Sequence, residues 1–301
     1  MSISFNNRVA IVTGAGGGLG RSHALGLAAR GVKLVVNDLG QDGKPSESAL
    51  AVVEEIKNLG GEAFANGANV ADWDQVKAMV DETMQRWGHV DILVNNAGIL
   101  RDKSFVKMSL DDFRLVMDVH VMGTVNCTKA VWDIMREQQY GRIAMTSSSS
   151  GLYGNFGQSN YGAAKMAVVG LMNTLHLEGQ KYGIHVNTLS PTARTEMTEN
   201  IIAKEVLELM TVESVSAALL YLVCDEAPSR LILCAGAGGY ASTRIYETEG
   251  IYLPVDQQTP EHIAEEIDRI VDADNQALFQ MGSEQTIKFV NKAAEALGVK
   301  I

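Results

Sequence analysis

Short apolar runs alternate with longer amphipathic stretches from the start of the chain to about residue 240. Each run is brief and apolar throughout, which is the pattern of strands buried on both faces of a sheet. The alternation therefore predicts repeated βαβ units and an α/β fold with a doubly wound parallel sheet and helices on both faces. Seven strands are predicted, at residues 8–13, 33–37, 62–68, 91–95, 141–147, 184–190 and 231–234. The helices are predicted at about residues 18–30, 47–59, 72–87, 109–138, 160–182 and 212–223.

A glycine-rich segment from Thr13 to Gly20 follows the first predicted strand and opens the first predicted helix. Its first glycine permits the tight turn, and the next glycines let the backbone approach a pyrophosphate without steric conflict. The amide groups and the dipole of the helix N-terminus favour the same anion. An ordinary turn is the alternative. We predict a Rossmann-like dinucleotide site that involves Gly14, Gly16, Gly18, Leu19 and Gly20.

The second predicted strand leads into Asp38, which places an acidic residue shortly after the glycine segment. A carboxylate at this point can accept hydrogen bonds from ribose hydroxyls, and its charge repels the 2′-phosphate of NADP. The sequence therefore predicts NAD as the cofactor. The alternative is that Asp38 is an ordinary loop residue or a helix cap.

Tyr161 and Lys165 are separated by one helical turn, so a helix places both side chains on one face. A neighbouring ammonium group lowers the pKa of a phenol, and Tyr161 can then exchange a proton with a substrate hydroxyl or carbonyl. Ser148, at the end of the fifth predicted strand, can donate a hydrogen bond to the same substrate oxygen. Taken alone, such a pair is more often an ordinary surface pair on a helix.

The combination of these motifs resembles the short-chain dehydrogenase/reductase family over about residues 5–240, and Asn95-Asn-Ala-Gly98 belongs to the same pattern. The resemblance implies that Ser148 orients the substrate, that Tyr161 is the acid–base, and that Lys165 binds the nicotinamide ribose and tunes Tyr161. It also implies cofactor contacts at Asn69, Val70, Asn96, Ala97, Gly98, Tyr161, Lys165, Pro191, Ala193 and Thr195.

Longer segments narrow the resemblance to the (3R)-hydroxyacyl-CoA dehydrogenase units of peroxisomal multifunctional enzymes type 2; these are residues 36–40, 97–103, 151–158 and 175–179. This similarity implies oxidation of a (3R)-3-hydroxyacyl-CoA thioester to the 3-oxoacyl thioester. Two alternatives stay open: a dehydrogenase of a steroid or of an acyl-carrier-protein thioester, and a non-catalytic NAD-binding regulatory protein. Family analogy implies a homodimer or homotetramer through the two long helices. Substrate contacts are predicted at Ser148, Tyr153, Asn155 and Phe156.

His120 departs from the family pattern, because many members have a catalytic asparagine at this position. That asparagine chiefly offers its main-chain carbonyl to a water of the proton relay, and a distorted helix frees such a carbonyl without an amide side chain. We therefore place His120 among the catalytic residues; the alternative is a buried helix histidine without chemistry.

A second departure lies in the segment expected to close over the nicotinamide. Arg194 stands there where similar proteins have glycine, and Glu196 where they have a basic residue. Solvated surface charge is the plain interpretation of the nearby basic side chains. The candidates for holding an anionic substrate carrier are Arg101, Lys103, Lys107 and Arg194.

The composition excludes several classes of protein. The 301 residues are 46% hydrophobic and carry a formal net charge of −11, with no basic run, so we expect a globular protein and no nucleic-acid partner. No apolar run approaches the ~20 residues of a membrane span, so no membrane partner is expected. Three cysteines without a CxxC pair favour reduced thiols, and we predict no metal site and a cytoplasmic location.

The absence of linkers or repeats predicts one dehydrogenase domain over residues 1–242. Residues 243–301 are predicted to be a helical extension of that domain, since Thr259-Pro260 is a good helix start. Apolar side chains follow at helical spacing, namely Ile263, Ile267, Ile270 and Val271.

Overall fold

The computed structural model describes residues 3–42, 44–193, 206 and 208–300. In this part of the chain, eight strands form one sheet in the order β3-β2-β1-β4-β5-β6-β7-β8, and neighbours among the first seven are parallel. The chain runs outward from β1 to β3 and then crosses back to β4 on the other side of β1, which confirms the predicted doubly wound architecture. The strands are β1 (Val9–Thr13), β2 (Lys33–Asn37), β3 (Ala63–Asn66), β4 (Ile92–Asn95), β5 (Gly141–Thr146), β6 (Ile184–Thr192), β7 (Ile232–Gly236) and β8 (Gly239–Thr243).

The strand β8 corrects the prediction of a seven-stranded, wholly parallel sheet, because it pairs antiparallel with β7. Ala237 and Gly238 join the two strands with φ angles of 49° and 77°, the left-handed geometry that suits a two-residue hairpin. β8 is largely exposed, and its Gly-Tyr-Ala-Ser-Thr sequence lacks the apolar run of a strand buried on both faces. The pattern used to find the other strands therefore could not reveal it.

The described helices lie between the strands as predicted, with two differences. The stretch predicted as one helix at 109–138 is interrupted by a wider π-helical segment, Asp118–Met122. A short helix also follows β5 where a loop was expected. The helices are α1 (Gly18–Ala28), α2 (Glu47–Asn58), α3 (Trp73–Trp87), α4 (Leu110–Met117), α5 (Gly123–Gln138), α6 (Ser149–Tyr153), α7 (Ser159–Gly179), α8 (Val212–Leu222), α9 (Pro260–Glu265), α10 (Ile267–Ile270) and α11 (Gly282–Leu297).

Two apolar layers cover the two faces of the sheet. In β1, Val12 contributes to the layer formed with α1, α2 and α8, whereas Ile11 contributes to the layer formed with α3, α5 and α7. Successive strand residues point to opposite faces, so both sides of each central strand are buried. This packing holds the carboxyl ends of β1, β2 and β4 at one edge of the sheet. No helix in the described ranges combines the length and the apolar character that a membrane crossing requires.

The described chain forms two compact units, Met1–Thr243 and Arg244–Ile301. The second unit contains α9, α10 and α11, which confirms the helical character predicted for this segment. The side chain of Thr259 caps α9 by accepting from the amide of His262 at 3.3 Å. Lys288 of α11 pairs with Glu247 within the same unit.

Candidate active site

The strand ends at the carboxyl edge are tied together by two polar side chains. Asn96, just after β4, donates from Nδ2 to the carbonyls of Thr13 and Gly14 at 2.9 and 3.1 Å. The hydroxyl of Thr13 accepts from the amides of Asn96 and Ala97, both at 3.0 Å. The predicted Asn96–Gly98 motif therefore supports the glycine turn directly. Thr13 was not predicted as a site residue, although its polar side chain at the end of an apolar strand was a signal.

The glycine segment has the close approaches that its sequence predicts. Gly14 adopts a φ of +62°, and a β-carbon on Gly20 would lie 2.1 Å from the carbonyl oxygen of Gly14. A β-carbon on Gly16 would lie 1.9 Å from Oδ2 of Asp38. The structure thus brings the Asp38 carboxylate against the glycine turn. At Gly17 and Gly18, by contrast, a β-carbon would meet no atom of the described chain within 4 Å.

The open backbone at the start of α1 can take the anionic part of a dinucleotide. The helix begins without a side-chain cap and without an acidic residue in its first turn, so no side chain competes for its free amide groups. The Asp38 carboxylate lies beside this turn, where it can accept from ribose hydroxyls. The space beside Gly17 and Gly18 is open, so these residues fit a nicotinamide dinucleotide.

Asn69 and Val70 lie in the loop that follows β3 at the same edge. The side chain of Asn69 accepts from the amide of Ala71 at 3.0 Å, and the carbonyl of Val70 accepts from Nδ2 of Asn126 at 3.0 Å. Asn37 holds the start of this loop by donating to the carbonyl of Ala68 at 3.0 Å. Asn37 and Asn126 are buried polar residues that the sequence analysis did not predict.

Ser148, Tyr161 and Lys165 come together between β5 and α7. Ser148 lies beside the phenol of Tyr161, and the Lys165 ammonium lies 5.5 Å from the Tyr161 ring centroid. Lys165 donates from Nζ to the carbonyl of Thr146 at 2.6 Å, while Ser147 donates from its hydroxyl to the carbonyl of Lys165 at 2.7 Å. These two bonds fasten the start of α7 to the end of β5, so the three predicted side chains share one site.

Burial dominates the electrostatics of this group. The pKa of Lys165 is lowered to about 7 because the buried ammonium loses its hydration. Burial also raises the pKa of Tyr161, and the charge of Asp102 adds to that effect, whereas the hydrogen bond from Ser148 opposes it. The pKa of Tyr161 is raised on balance because burial outweighs the effect of Ser148.

His120 lies in the π-helical segment and faces Tyr161. The two rings meet edge to face with their centroids 5.2 Å apart. Nε2 of His120 lies 2.8 Å from the carbonyl oxygen and 3.0 Å from the amide nitrogen of Ile99. The His120 carbonyl accepts from the hydroxyl of Thr124 at 2.7 Å, and burial lowers the pKa of the ring to about 3. His120 is therefore a neutral imidazole inside the site at pH 7.

The predicted residues that follow β6 are described only in part. Pro191 and Ala193 lie at the end of β6, at the carboxyl edge, whereas Thr195, Arg194 and Glu196 lie outside the described residues.

The predicted substrate contacts lie between Ser148 and Tyr161 in the chain. Tyr153 is bonded through its hydroxyl to Thr243 at 2.9 Å, and Asn155 donates to Oε1 of Gln158 at 3.0 Å. Phe156 is 92% exposed. The described candidates for substrate contact therefore lie around the rim, close in sequence to Ser148 and Tyr161.

The family model for short chain dehydrogenases matches residues 8–206. This chain belongs to the short-chain dehydrogenase family. The prediction of the family is confirmed, and the protein is an oxidoreductase that acts on CH–OH groups with a nicotinamide dinucleotide. The glycine turn and the group of Ser148, Tyr161 and Lys165 are the parts of this dehydrogenase that suit such chemistry.

Several known proteins are similar to this dehydrogenase over most of its length. It is 45% identical over 289 residues to peroxisomal multifunctional enzyme A of Dictyostelium discoideum and 43% identical over 296 residues to peroxisomal multifunctional enzyme type 2 of Mus musculus. Each alignment covers 94% of this chain, but this dehydrogenase spans 64% and 39% of those two proteins. The solved structure of full-length peroxisomal multifunctional enzyme type 2 from Drosophila melanogaster has a TM-score of 0.84 and 34% identity, covering 98% of this chain and 51% of its own.

Proposed function

We propose that this dehydrogenase transfers a hydride between NAD and (3R)-3-hydroxyacyl-CoA, which becomes 3-oxoacyl-CoA. The observation that carries the proposal is the gathering of Ser148 and Tyr161 beside the buried Lys165, whose ammonium lies 5.5 Å from the Tyr161 ring centroid. The choice of an acyl thioester is supported by the similarity of residues 36–40, 97–103 and 151–158 to hydroxyacyl-CoA dehydrogenase units. The similarity to whole multifunctional enzymes supports the same chemistry.

The side chains divide the proton transfer between them. Bound NAD would supply the hydride acceptor for the alcohol carbon. The Ser148 hydroxyl donates to the substrate oxygen, since its own oxygen already accepts from the amide of Ser150 at 3.2 Å. Tyr161 takes the hydroxyl proton in the oxidation and returns it in the reduction. Lys165 holds the nicotinamide ribose, and its charge stabilises the Tyr161 phenolate during the transfer.

His120 is proposed to belong to the catalytic group through its backbone and ring together. In the π-helical turn, the carbonyl of His120 accepts a hydrogen bond from the hydroxyl of Thr124. This carbonyl can accept a hydrogen bond from a water molecule of the proton relay, the role that the family asparagine has. The ring is too weak a base to act as the acid–base at neutral pH, because its pKa is about 3.

NAD is proposed in preference to NADP because of the place of Asp38. Its carboxylate lies so close to the glycine turn that a ribose there would present its 2′-oxygen to a negative charge. Fluorescence titration should show NADPH binding at least roughly tenfold more weakly than NADH, since like charges in contact cost several kcal/mol. Asp38→Asn should narrow that difference, and Asp42→Asn, a substitution at an exposed loop carboxylate, should leave it unchanged. Equal affinities in the wild type would contradict the assignment.

Substrate contacts are proposed along the rim. Tyr153 and Phe156 offer exposed aromatic surface for the acyl chain, and Asn155 is held in the same loop by Gln158. For the anionic carrier we propose Arg101, Lys103 and Lys107, although the first two also approach Asp112 at 3.8 and 3.7 Å. The remaining cofactor contacts at Asn69, Val70, Pro191, Ala193 and Thr195 are proposed from the family resemblance.

The decisive experiment follows the reduction of acetoacetyl-CoA with NADH in the purified protein. Tyr161→Phe should lower kcat roughly 10²- to 10⁴-fold, the usual contribution of a positioned acid–base. Tyr221→Phe, on the half-exposed surface of α8, is the matched control and should retain activity. A panel with a 3-oxosteroid and a 3-oxoacyl-carrier protein tests the substrate class. Binding of NADH without turnover of any ketone would favour a regulatory protein.

The assembly and the location are proposals of the same kind. We propose a homodimer or homotetramer through α5 and α7, and light scattering would measure the number of subunits.

A cytoplasmic location agrees with three free cysteines, two of them buried, although the similar multifunctional enzymes are peroxisomal. Imaging of a tagged protein in its native cell would test the compartment. We also propose one dehydrogenase domain over residues 1–242 with the helical extension 243–301, which limited proteolysis would test.

A further inference from the structure

The loop that follows β4 is fastened to the segment that precedes Tyr161. Gln158 donates from Nε2 to Oδ2 of Asp102 at 2.6 Å. The amide of Lys103 donates to the carbonyl of Gly157 at 2.9 Å, and Nδ2 of Asn160 donates to the carbonyl of Arg101 at 3.0 Å. Three bonds therefore hold Asp102 in one place although its side chain is exposed to solvent.

The same glutamine is connected to the catalytic serine. Oε1 of Gln158 accepts from the hydroxyl of Ser150 at 2.7 Å and from Nδ2 of Asn155 at 3.0 Å. The amide of Ser150 in turn donates to the oxygen of Ser148 at 3.2 Å. With both ends of its amide engaged, Gln158 has one orientation, and its Nε2 must face the Asp102 carboxylate. A continuous set of hydrogen bonds thus runs from Ser148 to Asp102.

The charged and titratable groups around Tyr161 act in different directions. The ammonium of Lys165 lies 5.5 Å from the ring, and His120, at 5.2 Å, is neutral. Burial raises the pKa of Tyr161 most, Ser148 lowers it, and the charge of the Asp102 carboxylate adds to the increase. A negative charge near a phenol disfavours its phenolate, so Asp102 favours the form that donates a proton.

We propose that Gln158 is a positioning residue that holds the Asp102 carboxylate beside the active site, where its negative charge opposes formation of the Tyr161 phenolate. This inference rests on the proposed function in one respect, the role of Tyr161 as acid–base. Asp102 and Ser148 then act on the same phenol in opposite senses, and Gln158 joins them. The carboxylate therefore moves the pH dependence of both directions of the reaction to higher pH.

The test is a pH titration of the phenolate absorbance of Tyr161 in the full chain with NAD bound. The contribution of Tyr161 is obtained by subtracting the titration of Tyr161→Phe, because the chain has 8 tyrosines. In Asp102→Asn the titration should move to lower pH. Gln158→Met should move it in the same direction by a smaller amount, since the carboxylate is released but not removed. Asp111→Asn, at an almost fully exposed carboxylate of α4, should match the wild type.

Kinetics provide a second readout. On the rising limb of the pH profile for alcohol oxidation, Asp102→Asn should be about two- to threefold more active than the wild type, as expected for loss of one partly screened charge. A titration of Tyr161 that is unchanged in Asp102→Asn, or moved equally in Asp111→Asn, overturns the inference. Thermal melting of each variant excludes a folding defect. A protein that reduces no acyl-CoA but shows the shifted titration would contradict the proposed substrate and leave this inference standing.

Discussion

The imidazole of His120 lies directly over Gly98, where a β-carbon would be only 2.3 Å from Cε1 of the ring. The ring also approaches both backbone polar groups of Ile99 through Nε2. His120 therefore joins the π-helical segment to the loop after β4, and it does so in contact with Tyr161. Only a residue without a side chain at position 98 permits this approach.

Gly98→Ala should displace His120 and with it Tyr161. We expect a loss of about 1–3 kcal/mol in the free energy of unfolding, as for other overpacked sites, together with a marked fall in kcat. Gly282→Ala, where a β-carbon meets no atom within 4 Å, is the control and should change neither quantity. Thermal melting and steady-state kinetics measure both. Full activity in Gly98→Ala would show that the position of His120 does not matter.

Ser148→Ala should lower kcat about 10²- to 10³-fold, because a preorganised donor to the substrate oxygen is lost. Its neighbour Ser149 is exposed in the first turn of α6, so Ser149→Ala should leave kcat close to the wild-type value. Comparing the two variants with a 3-oxoacyl thioester assigns the catalytic serine within the run 147–150. A larger effect at Ser149 would refute the assignment.

Gly16→Ala should weaken NADH binding, because the new methyl group would collide with the Asp38 carboxylate 1.9 Å away. Displacing that carboxylate removes the acceptor for the ribose, a loss of about 1–3 kcal/mol in binding. Gly17 has extended backbone and open space around it, so Gly17→Ala should not alter thermal stability. Fluorescence titration and melting curves distinguish the two effects. Unchanged NADH affinity in Gly16→Ala would count against the site.

His23 should make the protein sensitive to acid. Burial lowers its pKa from 6.5 to about 3, so between these values the unfolded chain binds a proton that the folded protein does not. Stability is therefore lost as the pH falls below 6.5, by about 3 kcal/mol for this group near pH 4. His23→Gln can keep a hydrogen bond to Ser216, and its melting temperature should fall less than that of the wild type as the pH is lowered. His262→Gln, at a half-exposed site, should follow the wild type.

Lys165 should make stability depend on pH in the same direction as His23, but over a higher range of pH. Its pKa falls from 10.5 to about 7 on folding, so the unfolded chain binds more protons between these values and stability rises with pH. Lys165→Met removes the buried ammonium and should flatten this rise, while abolishing activity. Chemical denaturation at pH 7 and at pH 10 measures the difference. A wild-type stability that falls over this interval would contradict the burial of the charge.

Local patterns were sufficient where the physical cause is local. The apolar runs of β1 and β2 indicate burial on both faces, and the glycines at 14–20 indicate a turn against an anion. Both features depend only on the size and spacing of side chains that are close together in the sequence. The pair of Tyr161 and Lys165 gained its meaning from the motifs around it. The family, the doubly wound sheet and the helical end of the chain could therefore be predicted.

Short-range periodicity and backbone sterics are enough to predict the succession of strands and helices and the residue types at the carboxyl edge. Three features became visible in the folded chain alone: the antiparallel β8, the π-helical turn at His120 and the balance of effects on the pKa of Tyr161. β8 pairs with its neighbour β7 through a short hairpin, but its exposed side chains lack the apolar run that marks the buried strands. The other two depend on residues far apart in the chain, because Gly98 lies beneath the imidazole of His120 and Asp102 is held by Gln158. Desolvation and long-range contacts arise only when the chain is folded, so no local pattern records them.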